Sequence, residues 1–502
     1  MKGEGLEEIL HGRSLVIASN RGPVTFERDA DGELIPRRGA GGLVTALTHV
    51  MRKVSGIWVA SAMSPTDREM ARRHGDGPMQ VSIDGETLHL RYLIHDRETF
   101  DRYYNRISNW IFWFLMHGMW NLAVQPQFDL KTRRAWESYK AVNRRFAEAL
   151  AEEIGGQEAN SPVMLHDYHL LLAAAYLREI APKAFTYQFI HSPWAQPDTM
   201  RILPESMAHE TLEGMLGNDL IGFQTRRWAG NFLRCCEDLL GAKVDWDSGL
   251  VRYQDRETTV RSYPISIDVE ALRALSNSDE GFTHSEWLRR TLGDRKLILR
   301  VDRMELSKNI VRGLLAYEEF LQTYPQWKER VTHLALLYPS RRALHEYRAY
   351  EAEVLDTVDR INTDLGTDDW QPIVLTNEDN YVRALTCMKY YDVLIVNPIM
   401  DGMNLVSKEG PAVNANDGVL LLSQNAGAWQ ELGGPAIGIN PYDLSETSEA
   451  IYRALEMAPE ERKSRAETLR TTVERNDPSK WMWHQLSDIR RLHDSTESDE
   501  SS

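Results

Sequence analysis

The chain has 502 residues and a mass of 57.6 kDa, above the ~250–300 residues at which single hydrophobic cores stop growing, so two or more domains are expected and a lone small binding module is excluded. Hydrophobic residues make up 42% and charged residues 26%, a balance that folds rather than stays disordered. Lys and Arg number 58 against 74 Asp and Glu, a formal charge of -16; this opposes broad contact with phosphate backbones or anionic lipid, so neither nucleic acid nor membrane is an expected partner.

In chain order, short apolar runs fall at 15–18, 163–165, 185–190, 297–301, 333–338, 393–396 and 418–422. Between them, residues 204–216, 226–240, 309–324, 341–365 and 381–391 carry apolar positions at three- and four-residue spacing. Such alternation predicts βα units with parallel strands covered by helices, an α/β class. A second sheet is expected to start near 296, after Tyr263-Pro264-Ile265-Ser266-Ile267-Asp268. The expected domains are 1–268 and 269–478, followed by a helix over 479–492. The remainder, 493–502 (HDSTESDESS), is acidic and serine-rich and is expected to be disordered.

The three cysteines, Cys235, Cys236 and Cys387, form no CxxC pair and no zinc spacing, as in a reducing compartment. A basic-then-apolar leader is missing from the N-terminus, and the most apolar stretch, 110–124, is interrupted by His117, Gly118 and Asn121, short of the ~18 residues of a spanning helix. A cytoplasmic location is the expectation.

In open α/β sheets ligands bind outside the carboxyl ends of the strands, so the polar residues that follow each apolar run are the ones to question. After the first run come Ser19-Asn20-Arg21-Gly22-Pro23 and then Gly39-Ala40-Gly41-Gly42-Leu43, a glycine cluster whose amides could approach a phosphate. Leu165-His166-Asp167-Tyr168-His169 and Ile190-His191-Ser192-Pro193-Trp194 end the next two runs. His166 and His169 lack further ligands nearby, so no metal is expected. Farther on, Arg303 and Lys308 occupy one strand-to-helix turn, a natural clamp for a diphosphate leaving group. Residues 397–409 then pass through Asp401-Gly402-Met403-Asn404-Leu405-Val406 into a helix, with Glu409 one turn in, where it could accept ribose hydroxyls.

These segments resemble, in order along nearly the whole chain, the trehalose-6-phosphate synthase family of retaining glycosyltransferases: SNRGP, GAGGL, YYNRISN with Trp113, LHDYHL, IHSPW with ILPE, NDLIGFQT, YPISID, RMELSK, YPSR, DGMNLVSKE, LSQNAGA and NPYD. The resemblance implies a GT-B fold, two Rossmann-like doubly wound parallel-sheet domains facing a central cleft. It implies transfer of glucose from a nucleotide diphosphate (GDP or UDP) to glucose 6-phosphate, giving α,α-1,1-trehalose 6-phosphate by front-face displacement without metal or cofactor. The partners implied are the nucleotide-diphosphate glucose and glucose 6-phosphate; a homo-oligomer is compatible with the sequence but not legible in it.

By the same resemblance Arg303 and Lys308 hold the diphosphate, with Gly42, Gly402, Met403, Asn404, Leu405 and Val406 nearby, Asp401 on sugar hydroxyls and Glu409 on the ribose. His191 contacts the donor sugar through its carbonyl or ring and is not a nucleophile. Arg21, Tyr104, Trp113 and Arg341 match the acceptor-phosphate set, and Asp167 orients acceptor hydroxyls. His191, Asp167, Arg303 and Lys308 form the catalytic group. The last helix, on this resemblance, crosses back to the first domain.

Departures are local. The family's RLDxxKG loop here carries Glu305 and Asn309 in place of its Asp and Gly, HIPFP reads His191-Ser192-Pro193-Trp194-Ala195, Met400 precedes the DGMN run, and Trp58-Val59-Ala60-Ser61 replaces a Trp-Phe-Gly-Trp stretch. A related pseudo-glycosyltransferase that couples a nucleotide-activated cyclitol to an amino-cyclitol phosphate is the nearest alternative. A glucosylglycerol-phosphate synthase and a silent sugar-phosphate sensor are the others. The diphosphate clamp, which a sensor need not keep, favours the enzyme.

Overall fold

The structure, a computed structural model, describes residues 14–39, 47, 56–75, 77–83, 86–155 and 161–500, the side chains of 86 and 495–500 excepted. Its strands in chain order are β1 (Leu15–Ser19), β2 (Val24–Arg28), β3 (Leu34–Arg38), β4 (Gly56–Ser61), β5 (Met79–Ile83), β6 (Glu86–Leu93), β7 (Val163–His166), β8 (Thr186–Ile190), β9 (Leu220–Phe223), β10 (Lys243–Asp245), β11 (Leu250–Tyr253), β12 (Arg256–Ser262), β13 (Lys296–Met304), β14 (Val331–Pro339), β15 (Ile373–Thr376), β16 (Val393–Val396), β17 (Val419–Ser423) and β18 (Ile437–Ile439). The chain forms two compact units. One holds residues up to Pro264 together with Pro478 onward, and the other holds Ile265–Asp477, so the chain passes between them inside the YPISID segment.

In the first unit a ten-stranded sheet runs β10-β11-β12-β9-β8-β7-β1-β4-β6-β5. Neighbours from β12 to β6 pair parallel, and both edges are antiparallel ribbons. β1 is buried along its whole length, which is why it reads as a continuous apolar run with no alternation. Successive strands leave β1 through β4 to β6; β7 then returns to its other side, so the order reverses between β1 and β7. Among the helices that escaped the periodicity reading, two lie beside the expected site residues of this unit. A π-helical stretch, Arg102–Phe112, runs into the helix Trp113–His117, and Leu130–Ile154 is capped by Asp129 and closed by Gly155 at φ 55°. The apolar segment from Trp110 lies in the first of these, with Ile111, Phe112, Phe114, Leu115 and Met116 buried.

The helix Pro478–Glu500 belongs to this unit. Trp481, Met482, Leu486 and Ile489 are buried, Trp481 Nε1 donates to the Tyr263 carbonyl at 3.0 Å, Tyr187 Oη to Gln485 at 2.6 Å, and Tyr263 Oη to Asp488 at 2.7 Å. It continues through the segment whose composition predicts disorder. A nucleated helix adds one hydrogen bond per residue fixed, and His493 is buried against the Phe185 ring, 5.6 Å between centroids.

All six strands of the second unit are parallel, in the order β15-β14-β13-β16-β17-β18, with the order reversing between β13 and β16. Helices Ile310–Thr323, His345–Leu365 and Leu444–Leu455 bury Leu314, Tyr317, Val354 and Ile451 against Ile298, Leu337, Ile395 and Leu421 of the sheet. Among the described residues no helix is long and apolar enough to cross a membrane.

Candidate functional site

The expected site residues fall in both units, most of them just after the carboxyl ends of strands at or beside a reversal of strand order, where open α/β sheets leave a crevice, whereas Tyr104 and Trp113 lie on the helical stretch from Arg102 to His117.

In the first unit Arg21 follows β1, Asp167 follows β7 and His191 follows β8. Asp167 sits at φ 68°, ψ 176°, a region that is nearly glycine-only and costs of order 1–3 kcal/mol for other residues. Its backbone is pinned on both sides, the amide donating to the Phe189 carbonyl at 2.8 Å and the carbonyl accepting from Gln188 Nε2 at 3.2 Å. Its carboxylate accepts from the His191 amide at 3.2 Å. Two of the expected catalytic residues are thus tied directly, the side chain of Asp167 to the backbone of His191.

The His191 ring is held by neutral partners. Gln224 Nε2, a donor only, lies 3.3 Å from Nδ1, so Nδ1 accepts and the ring proton sits on Nε2, directed at His166 Nδ1 3.3 Å away. Burial pushes the His191 imidazole down to about 3, and burial and the neighbouring His191 push His166 well below its ordinary range. Both rings are neutral near pH 7.

The residues of this unit expected to hold the acceptor phosphate are joined by aromatic rings. Arg21 Nη2 lies 3.5 Å from Tyr104 Oη. Tyr104 stacks on Phe100 and on His169, at 5.5 and 5.9 Å between centroids. His169 stacks on Tyr168 at 4.2 Å, and Tyr168 packs against Trp113 at 5.5 Å. A ladder of rings therefore spans from Tyr104 to Trp113 through His169, which the sequence offered only as a possible metal ligand, and its neighbour Tyr168. Gly42 lies outside the described residues. Trp58 is buried in β4 and spends its indole N–H on Ser19 Oγ at 2.8 Å, a core position.

In the second unit Arg303 ends β13, Lys308 sits in the turn after it, Arg341 follows β14, and residues 401–409 follow β16. Lys308 Nζ pairs with Asp401 Oδ2 at 2.6 Å, and Asn404 Nδ2 donates to the same oxygen at 3.1 Å. Burial disfavours the Lys308 charge, but Asp401 and Asp302 overcome it and raise its pKa. Arg303 pairs with Glu305 at 2.7 Å. Arg341, assigned by resemblance to the acceptor, stands in this unit too, 3.6 Å from the other oxygen of Glu305.

The loop before the helix Val406–Val413 is shaped by Asn404 at φ 75°, with Ser407 N bonded to Asn404 Oδ1 at 3.2 Å and Lys408 N and Glu409 N to the Leu405 carbonyl at 2.8 Å. Residues after β17 brace it: Asp401 N donates to Asn425 O, Gly427 N to Asp401 O and Ala428 N to Met403 O. Gly427 is obligatory, because a Cβ there would overlap the Gly402 carbonyl. Lys408 is structural, donating to the Ile265 carbonyl at 2.7 Å and pairing with Glu431 at 2.6 Å. Glu409 is buried, accepts from Tyr381 Oη at 3.0 Å, and is pushed by burial up to about 7. Gln224, Tyr381 and Gly427 were not singled out from sequence, and Glu305 stood out only as a departure from the family's loop; the motifs NDLIGFQT and LSQNAGA contain Gln224 and Gly427, and Tyr381 carried no signal.

No group of three or more His, Cys, Asp or Glu placed to hold a metal ion occurs among the described residues. Positive charge near the expected diphosphate comes from Arg303 and Lys308.

Comparison with known proteins gives the family. The family described as Glycosyltransferase family 20 matches residues 13–491. A bifunctional trehalose-6-phosphate synthase/phosphatase from Thermoproteus tenax is 32% identical over 484 residues, covering 93% of this chain and 62% of that protein; this chain therefore spans less than two thirds of that relative's length. A UDP-forming alpha,alpha-trehalose-phosphate synthase from Pichia angusta is 32% identical over 492 residues, 95% of this chain and 99% of that one. Among solved structures, a UDP-forming alpha,alpha-trehalose-phosphate synthase from Burkholderia xenovorans in complex with glucose-6-phosphate superposes with a TM-score of 0.81 at 27% identity, covering 95% of this chain and 100% of that one. Two Rossmann-like units of this topology are the GT-B fold, and the chain belongs to glycosyltransferase family 20.

Proposed function

We propose that this protein transfers glucose from UDP-glucose to glucose 6-phosphate, forming α,α-1,1-trehalose 6-phosphate with retention. The observation that carries the reading is the convergence, within one unit, of Arg303, Lys308, Asp401 and Glu409 from the ends of β13 and β16, with Lys308 already paired to Asp401 at 2.6 Å. Such a set suits a diphosphate whose charge grows as its bond to C1 breaks. The names of the Pichia and Burkholderia relatives favour uridine as the base and glucose 6-phosphate as acceptor.

In the reaction so read, the bond from C1 of glucose to the β-phosphate oxygen breaks while the acceptor's C1 hydroxyl attacks the same face, and the departing phosphate oxygen takes the hydroxyl proton. Arg303 and Lys308 stabilise the leaving diphosphate, Lys308 exchanging Asp401 for phosphate and freeing that carboxylate for a sugar hydroxyl. The amides of Ser407, Lys408 and Glu409 are consumed within their own turn, so a phosphate drawn to this helix is expected to meet the loop just before them. His191, neutral and with its Nδ1 occupied by Gln224, is unsuited to attack C1 or to take a proton; it contributes carbonyl and ring contacts to the donor sugar. Asp167 orients the acceptor, and Arg21, Tyr104, Trp113 and Arg341 bind its phosphate. Orientation and electrostatics carry the catalysis, with no covalent intermediate.

The test is transfer to glucose 6-phosphate from UDP-, GDP- and ADP-glucose, with the product identified by mass and anomeric coupling and EDTA in a parallel series. Formation of trehalose 6-phosphate, fastest with UDP-glucose and unchanged by EDTA, is expected. No transfer from any glucose donor would overturn the reading and point to the cyclitol-coupling reaction.

A further inference from the structure

Glu305 stands where the family's loop carries Asp, and its surroundings give it more to do than close a turn. Its carboxylate is wholly buried. One oxygen pairs with Arg303 Nη1 at 2.7 Å and accepts from Ser340 Oγ at 3.1 Å; the other faces Arg341 Nη1 at 3.6 Å. Arg341 is itself fixed, donating to Tyr347 Oη at 2.8 Å from a backbone at φ 43°, a left-handed conformation that costs a non-glycine residue energy and persists only when its surroundings enforce it. A fully buried carboxylate is retained only where it is paired and hydrogen-bonded. Here its partners are two cations from different strand ends, β13 and β14.

We infer that Glu305 is a positioning residue that sets the donor-phosphate guanidinium of Arg303 and the acceptor-phosphate guanidinium of Arg341 with a single carboxylate, so that a change at either arginine is felt at the other. This rests on the phosphate-binding reading of Arg303 and Arg341 given above. A guanidinium already oriented loses less side-chain freedom when a phosphate arrives. Through one shared partner, the two anionic substrates would meet a clamp assembled before either binds. The added methylene of Glu relative to Asp lets one carboxylate reach both strand ends.

The sign of the effect separates positioning from bare charge. Removing a negative charge beside two anion sites should tighten anion binding if Glu305 acts only through its field, and should weaken it if Glu305 orients the arginines. Calorimetric titration of UDP into the full chain is the measurement, with thermal melts to confirm folding. Glu305→Gln is expected to weaken UDP binding about tenfold, the size of a lost charge-assisted contact, while Glu305→Asp, which restores the charge and the family's residue, stays within about threefold of the starting protein. Arg341→Ala is expected to weaken UDP binding about threefold in the natural background and not at all beside Glu305→Gln, the mark of a shared network.

Unchanged or tighter UDP binding by Glu305→Gln would overturn the inference. So would an Arg341→Ala effect of equal size in both backgrounds. If Glu305→Gln fails to fold, the Arg341→Ala effect measured in the natural and the Glu305→Asp backgrounds decides, with a smaller effect beside the shorter carboxylate expected and an equal one contradicting it. Failure of the unaltered protein to bind UDP would instead remove the reading of the site itself, an outcome distinct from intact binding without coupling.

Discussion

The two units meet the same problem, holding polar groups at the end of a sheet, with opposite means. In the first unit, Asp167 is fixed by a strained backbone bonded on both sides, His191 and His166 are neutral, and Tyr104 and Trp113 are braced by stacked rings. In the second, nearly every group is charged and paired: Lys308 with Asp401, Arg303 with Glu305, Lys408 with Glu431. The difference matches the ligands proposed for each. A sugar acceptor needs its hydroxyls aimed, which a carboxylate fixed by its backbone and braced by rigid neutral rings can do. A diphosphate leaving group needs cations in place before its charge develops, and counter-anions keep those cations ordered until then.

The sharpest way to break this contrast is Lys308→Ala, which removes a transition-state cation and leaves Asp401 without that partner. The expected loss in kcat is about 10²–10³-fold, read by steady-state kinetics with UDP-glucose; a loss confined to KM would mean that Lys308 binds donor and transition state equally. Next is Asp167→Gly, which relieves the backbone strain. Glycine adds about 0.5–1 kcal/mol of unfolded-state freedom and the carboxylate's bond to the His191 amide is lost, so the reference is Asp167→Ala, which loses the same bond but keeps the strain; Asp167→Gly should be about 1–2 kcal/mol more stable than that variant. It should lose transfer about 100-fold through misorientation of the acceptor. An Asp167→Gly protein no more stable than Asp167→Ala would show that the strain is not there to be released.

Gly427→Ala probes the brace of the donor loop from outside the charged set. Overlap with the Gly402 carbonyl should cost about 1–3 kcal/mol in a melt and weaken UDP binding about tenfold through displaced amides. The smallest expected effect is one of pH. Glu409 is raised by burial to about 7, so below pH 7 it is mostly protonated and above it mostly ionised. The ionised form offers ribose hydroxyls two acceptor oxygens, so KM for UDP-glucose should fall severalfold between pH 6 and 8, by an amount set by that titration. Glu409→Gln should flatten the profile; an unchanged slope would assign it to another group.

Much of this was legible in the sequence because the relevant signals were local. Apolar runs marked the central strands, and the residues after them marked the site. Helices 226–240 and 309–324 were framed correctly because Thr225 and Gly241 cap the first and the second follows a turn at Asn309. The rest depends on contacts that spacing does not encode. Nothing in the tetrad Leu165 to Tyr168 shows that Asp167 must adopt a glycine-like conformation, since the cause is pairing with β8. His169 read as a candidate ligand because its partner rings lie in a π-helical stretch far off in sequence. Glu305 read as a departure from a motif because its second arginine arrives from β14.

The most direct test of the division of labour is calorimetric binding of UDP, in the absence of acceptor, to the unaltered protein, to Lys308→Ala and to Asp167→Asn. The account predicts that Lys308→Ala loses UDP affinity by about tenfold or more, while Asp167→Asn binds UDP as the unaltered protein does and fails only in turnover. Equal loss of UDP affinity in both variants would contradict it, because the strained site around Asp167 would then be serving the nucleotide as well.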